Sequence, residues 1–201
     1  MTTFANYAAF RVAVQWLIEG DELTDTFSVN TLDLIIGMGE ARVYRELRAS
    51  SLEAALSVVV SGNVAALPSD LLELKEVYFD ATRPLEIVPL DRLRKLQNSS
   101  AGQVIYAAQD GDTLTFWPPA TGTLLGKYYK KPAALSTALS TTFTRYPEVF
   151  IYAALVESAP FLGQDSRMQL WEAKYGQCLA DAKHNELMRV YGGSPLRMRA
   201  R

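Results

Sequence analysis

The chain has 201 residues, 49% of them hydrophobic, which sets a prior of one or two domains with a proper core. Lys and Arg number 20 against 22 Asp and Glu, a net charge of -2, so the cationic surplus that non-specific nucleic-acid binding needs is missing. A single cysteine, Cys178, excludes an intrachain disulfide, and a single histidine, His184, excludes the common multi-histidine metal sites. Neither a metal nor a cofactor is expected, and the cysteine usage fits folding in a reducing cytosol. The opening MTTFANYAAFRVAVQWLIEG has no basic leader and carries Arg11 inside its apolar stretch, so it does not read as a signal peptide. No apolar run approaches the roughly 18 residues of a membrane span, and a soluble protein with no membrane contact is expected.

Tyr7, Phe10, Val14, Leu17 and Ile18 recur at helical spacing, and Gly20 follows as a stop. A second helix is predicted from about Thr31 to Ala49, with Leu32, Ile35, Ile36, Val43 and Leu47 on one stripe. Gly37 and Gly39 lie inside it, each costing about 1 kcal/mol relative to alanine, which implies that another backbone packs closely there. The GMGEAR run lacks the third glycine of a dinucleotide fingerprint and follows no strand.

From about Leu56 to Leu135 the period changes. SVVVSGNVAALPSD reads as two short strands around Ser61-Gly62-Asn63, stopped by Pro68. LLELKEVYFD alternates, a turn falls at Ala81 to Pro84, LEIVPL follows, and Pro89 to Gln97 forms one short amphipathic helix. QVIYAAQ and DTLTFWPP flank Asp110-Gly111, the strongest hairpin signal in the chain, and TGTLLGKYYKKP adds a strand. Pro147 suits the first position of a helix running to about Leu162, with Pro160 ending or kinking it. Ser166 and Gln169 make a capping box for a last helix to Tyr191, about 26 residues and ~39 Å long, with Trp171, Tyr175, Cys178 and Ala182 on one face. Gly192-Gly193 stops it.

The fold class expected is α+β, mainly an α-helical bundle of two N-terminal and two C-terminal helices with an inserted small β-rich module. Residues 1–55 and 136–191 form one helical domain, 56–135 the insertion, and 192–201 an extended C-terminal tail.

Few residues carry chemistry. His184 falls on the polar part of its helix with no acidic or nucleophilic partner pattern, and reads as an ordinary helix residue more readily than as a base. Cys178 sits on the apolar stripe, where cysteine behaves as a small hydrophobe. Asp110 and Asp112 flank a turn glycine and read as a solvated hairpin tip. Glu73 and Glu76, three apart in a strand, are expected on opposite faces. GGSPL lacks the second glycine of a nucleophile elbow. Lys127, Lys130 and Lys131 beside Tyr128 and Tyr129 read as a strand edge guarded by lysine, in preference to a nucleic-acid strip. The end of the chain differs. Ser194 and Pro195 lead into Arg197, Arg199 and Arg201 alternating with Leu196, Met198 and Ala200, a pattern expected of an extended segment that docks on a partner.

The order of these pieces resembles the head-to-tail adaptor (connector) family of tailed phages. TLDLIIGMGEARVYRELR looks like the family's second helix, and ALPSDLLELKEVYFD with PLEIVPLDRLRKL looks like its strand entry. LTFWPPATGTLLGKYYKKPAALS resembles the strand pair that leads out of the insertion, and YPEVFIYAALVESAPFLGQDSRMQLWEAKY resembles the C-terminal helix pair. The resemblance implies a non-enzymatic virion protein of the phage neck, assembled in the host cytoplasm. It implies a homo-oligomeric ring, a dodecamer in the virion, seated under the portal protein and receiving a tail or nozzle protein below. Genomic DNA would pass through the lumen without sequence-specific binding during ejection. Ser194, Pro195, Leu196, Arg197, Met198, Arg199 and Arg201 would then reach the portal, and strands such as Ser57 to Val60 would pair with a neighbour's edge only in the ring. Two other classes fit less well. A cell-wall- or DNA-trimming enzyme needs an acid/base constellation that the chain does not display, and a DNA-binding regulator needs a basic recognition helix.

Overall fold

Apolar residues at helical spacing build α1 (Tyr7–Glu19), which buries Phe10, Val14 and Ile18 and turns Val12 and Trp16 outward. The computed structural model describes residues 4–19, 29–80, 83–96, 103–162 and 167–191. Gly20 and Ser166, read as a helix stop and a cap, lie outside them, as does the tail 192–201. The chain divides into two units, one formed by the residues up to Ser51 with those from Pro132 onward, the other by Leu52–Lys131.

In the first unit, α2 (Val29–Glu46) buries Leu32, Ile35, Ile36 and Val43 against α5 (Pro147–Leu162). The two glycines of α2 have different meanings. A Cβ on Gly39 would lie 2.7 Å from the Ala154 nitrogen and 3.0 Å from the Ala153 carbonyl carbon, so the two backbones touch there, whereas a Cβ on Gly37 would meet nothing within 4 Å. Pro147 opens α5 as expected, and Pro160 lies inside its last turn, where the helix ends two residues later at Leu162. Helix α5 is buried nearly all round because α1, α2, α4 and α6 all pack on it. The short α4 (Thr141–Arg145) is not evident from sequence period; Ser140 caps it, its hydroxyl accepting from the Phe143 N–H. Phe10, Phe143 and Phe150 stack edge to face through the centre, with centroids 4.9 and 5.3 Å apart. Helix α6 (Met168–Tyr191) buries Trp171, Tyr175, Leu179, Ala182 and Glu186, and Cys178 is only half-buried beside that stripe.

The second unit holds two four-stranded sheets. The first has the order β1-β8-β3-β4, from β1 (Glu53–Val60), β3 (Leu71–Phe79), β4 (Arg83–Pro84) and β8 (Gly122–Lys130). The second has the order β2-β7-β6-β5, from β2 (Val64–Ala66), β5 (Glu86–Ile87), β6 (Tyr106–Asp110) and β7 (Thr113–Trp117). All neighbours are antiparallel except β5 and β6. Leu56, Val60, Val77, Phe79 and Leu124 of the first sheet share one apolar core with Ala65, Ala107, Leu114 and Phe116 of the second. The short α3 (Leu90–Leu96) closes a smaller cluster with Leu93 on Val88 and Ala108.

The expectation of a mainly helical bundle with a small β-rich module is therefore corrected: the insertion carries two large sheets beside the six helices of the described residues. Strands β2, β4 and β5, of two or three residues, are too short to display a period, and bulges in β3 interrupt its alternation. Other details shift too. Asp110 pairs with Thr113, so the hairpin turn is Gly111-Asp112, with Gly111 at φ +61 as a first-position glycine requires. Ser57 to Val60 belong to β1, which pairs with β8 on one side and stands at the edge of its sheet. Lys127 and Lys130 lie on β8, an interior strand, and guard no edge.

Candidate interaction surface

The residues singled out for chemistry stay apart from one another. His184 is exposed on α6, and Asp110 and Asp112 are exposed at the hairpin tip. Burial raises the Cys178 thiol above its ordinary value, with Glu148 and Asp181 adding to the effect, so the thiolate is disfavoured. Glu73 and Glu76 correct the expectation of opposite faces. Glu73 pairs with Tyr129 and Glu76 with Lys127, two residues apart on β8, because a bulge between Leu74 and Glu76 brings both carboxylates to one face. That face is solvent-facing and ionic: Lys75 reaches Glu53 at 2.6 Å and lies over the Tyr129 ring, and Lys127 approaches Glu76 at 3.8 Å. Among the described residues no group of three or more His, Cys, Asp or Glu is arranged to hold a metal ion. None of their helices is long and apolar enough to cross a membrane.

Two ionic groups in the helical unit escape the sequence reading. The first centres on Arg42 of α2, whose Nε meets Glu46 at 3.2 Å, whose Nη1 meets Glu157 of α5 at 3.3 Å and whose Nη2 meets Glu172 of α6 at 3.8 Å. Its guanidinium also lies over the Tyr175 ring, 4.7 Å from the centroid. One arginine thus joins three helices. The second centres on Glu186, a carboxylate at a buried position of α6. Its Oε2 accepts from the Ser50 N–H at 2.8 Å and the Ser50 hydroxyl at 2.7 Å, and its Oε1 accepts from the Tyr146 hydroxyl at 2.9 Å. Arg145 and Arg189 approach the same Oε1 at 3.5 and 3.6 Å. Burial alone would push this carboxyl up, but the Ser50 and Tyr146 donors and Arg189 outweigh it and hold the group below its ordinary value. The same hydrogen bond, with burial as the larger cause, pushes the Tyr146 hydroxyl up to about 12. A signal for Glu186 exists in the sequence: it continues the Trp171, Tyr175, Leu179, Ala182 spacing, where an acid must be paired.

Outside this latch the helix ends carry arginine. Arg48 is exposed and donates to the Tyr44 and Arg45 carbonyls at 2.8 and 2.9 Å, closing the C-terminus of α2. Arg45, one turn earlier, is also exposed, and Arg145 and Arg189 flank Glu186. Leu187, Met188, Val190 and Tyr191 complete α6, all exposed. The residues read as portal-binding, Ser194, Pro195, Leu196, Arg197, Met198, Arg199 and Arg201, follow directly and lie outside the described residues.

The helical unit is tied by internal ionic latches, and arginine and apolar side chains are exposed near its helix ends. The chain belongs to the SU10 adaptor protein family, whose model matches residues 5–199. It is accordingly a phage adaptor, a component of the virion neck with a structural role in contact with other neck proteins. No curated protein matches it.

Proposed function

We propose that the chain builds a homo-oligomeric ring of twelve copies that joins the portal protein to the tail or nozzle protein and lets genomic DNA pass through its lumen. The observation that carries this reading is the family match over residues 5–199, nearly the whole chain. Residues 1–55 and 136–191 act as the helical wall, 56–135 as the inserted domain, and Ser194–Arg201 docks on the portal. A heterologous contact between identical copies generates a ring when its rotation closes, and weak contacts repeated around it add up. The net charge of -2 suits a passage that does not grip phosphate. In the tail, full burial of Leu196 would supply about 1.5–3 kcal/mol per copy, and the arginines pair with carboxylates. Assembly takes place in the host cytoplasm.

Native mass spectrometry of the protein alone and mixed with the isolated portal protein tests this. The expected species holds one adaptor copy per portal subunit, and it disappears when Ser194 to Arg201 are deleted while the fold persists. No complex at any ratio would overturn the portal-joining role.

A further inference from the structure

We infer that the outward faces of α1 and α2 are the two halves of a contact between neighbouring copies of this chain. The inference rests on the ring reading above and names the surface that closes it. Helix α1 is apolar on both sides. Phe10, Val14 and Ile18 are buried, whereas Val12 and Trp16 on the opposite side are 61% and 53% exposed. Ala8 and Ala9, also exposed, precede Val12 by four and three residues and so share its face. Between Tyr7 and Ile18 the only charged residue is Arg11, whose guanidinium meets Asp33 of α2 at 3.2 Å. A helix without a polar face belongs inside a protein, and in a single copy only one side of α1 is inside.

Helix α2 offers a second such face. Leu34, Gly37, Met38 and Ala41 recur at helical spacing, all exposed and all uncharged. Leu34 is 57% and Met38 40% in solvent. A Cβ on Gly37 would meet nothing within 4 Å, so no neighbour among the described residues requires glycine there. The missing side chain leaves a notch beside Leu34 and Met38 that a bulky side chain of another helix can enter. Trp16 is such a side chain. A knob on one face and a notch on another make a heterologous contact, the kind that generates a ring when its rotation closes.

The chemistry of the two faces selects a second copy as the occupant. Neither carries a charge to choose an acidic or a basic partner, and neither has the lysines that hold an interfacial helix at a lipid surface. Faces this apolar suit permanent neighbours, whose interfaces resemble a core cut in two. Val12, Trp16, Leu34 and Met38 together expose roughly 400 Å², about a quarter of what a stable interface buries. That is a weak contact for one pair, and it holds when a closed ring engages each copy on both sides.

Trp16→Glu breaks the α1 face and Met38→Glu the α2 face. Association of the full chain and of each variant is measured by sedimentation velocity over a concentration series. Native mass spectrometry on the isolated portal protein then counts the copies bound. Each variant should associate at least about thirtyfold more weakly than the full chain, as at an interface hot spot. Mixed one to one, the two variants should form pairs and nothing larger, because one intact α1 face and one intact α2 face remain between them. Pairs formed by either variant alone would overturn the inference by setting like face against like. Association of both variants equal to that of the full chain would overturn it too, and loss of portal or tail-protein capture beside it would assign the faces to that partner. A full chain that associates neither alone nor on the portal overturns the ring reading itself, and the inference with it. Gly37→Ala gives a second readout: it should melt higher than the full chain yet associate more weakly. Circular dichroism checks each fold, and Val12→Gln replaces Trp16→Glu if that variant melts early.

Discussion

Glu186 in the helical unit and Glu53 in the sheet unit are both carboxylates beside basic side chains, yet they do different things. Glu186 is nearly out of solvent and binds the Ser50 amide, the Ser50 hydroxyl and the Tyr146 hydroxyl, with two arginines at its edge. Glu53 meets Lys75 at 2.6 Å on a sheet face, the lysine side chain 35% and the glutamate side chain 16% exposed. The first arrangement fixes where three chain segments meet, because each donor left behind would be a buried group without water. The second joins one carboxylate to one partly exposed lysine and leaves no buried backbone donor dependent on it. Number and burial of donors, not the distance to the nearest cation, decide what a carboxylate contributes.

The sharpest way to break this comparison is Glu186→Ala. It strands the Ser50 amide and the Tyr146 hydroxyl and should cost about 3 kcal/mol, read as a lower melting temperature. The same group gives a pH signature. Its value is held below the ordinary one in the folded state, so its contribution is complete above the ordinary carboxylate range and is lost as pH falls through the lowered value. Acid melting curves of wild type and Glu186→Gln should therefore converge at low pH. Curves that stay parallel throughout would show that Glu186 does not act as an ionised latch.

Gly39→Ala extends the same logic from charge to volume. The added carbon would sit against the Ala153–Ala154 backbone, which is part of a buried helix and has nowhere to go. A loss of about 1–3 kcal/mol is expected, offset in part by the better helix propensity of alanine. Lys75→Met, in contrast, should change stability by no more than about 1 kcal/mol, since the lysine side chain is 35% exposed and makes a single ion pair. Denaturant titrations of both variants separate the two cases, and a larger loss from Lys75→Met than from Gly39→Ala would invert the ranking.

The helices were the legible part of this fold. Phe10, Val14 and Ile18, or Leu32, Ile35, Ile36 and Val43, repeat for long enough to show their period, and Pro147 marks a start without ambiguity. Helix α4 was not legible because five residues hold no period; only Ser140, ahead of Thr141-Thr142-Phe143, marks it. The sheets were underestimated for the same reason of length, and the β3 bulge moved Glu73 and Glu76 onto one face against the simple alternation. Of the candidate surface, Glu186 was readable as an acid in an apolar stripe. Its partners were not, since Arg145 and Ser50 come from distant parts of the chain and only tertiary packing brings them to Glu186. The tail's alternation is visible in the sequence alone, and its docking is a matter for the binding experiments.

The smallest effect expected carries the cleanest test of why two glycines stand so close in α2. Both cost the helix the same backbone entropy, so sequence gives no ground to separate them. Only Gly39 lies where a backbone approaches; at Gly37 a Cβ would meet open space. Gly37→Ala should therefore stabilise the protein by about 0.5–1 kcal/mol, mainly by restricting the unfolded chain. Its melting temperature should rise while that of Gly39→Ala falls, an opposition of sign that experimental error in either value cannot mimic. Should Gly37→Ala also destabilise, the reading of Gly37 as facing open space is overturned.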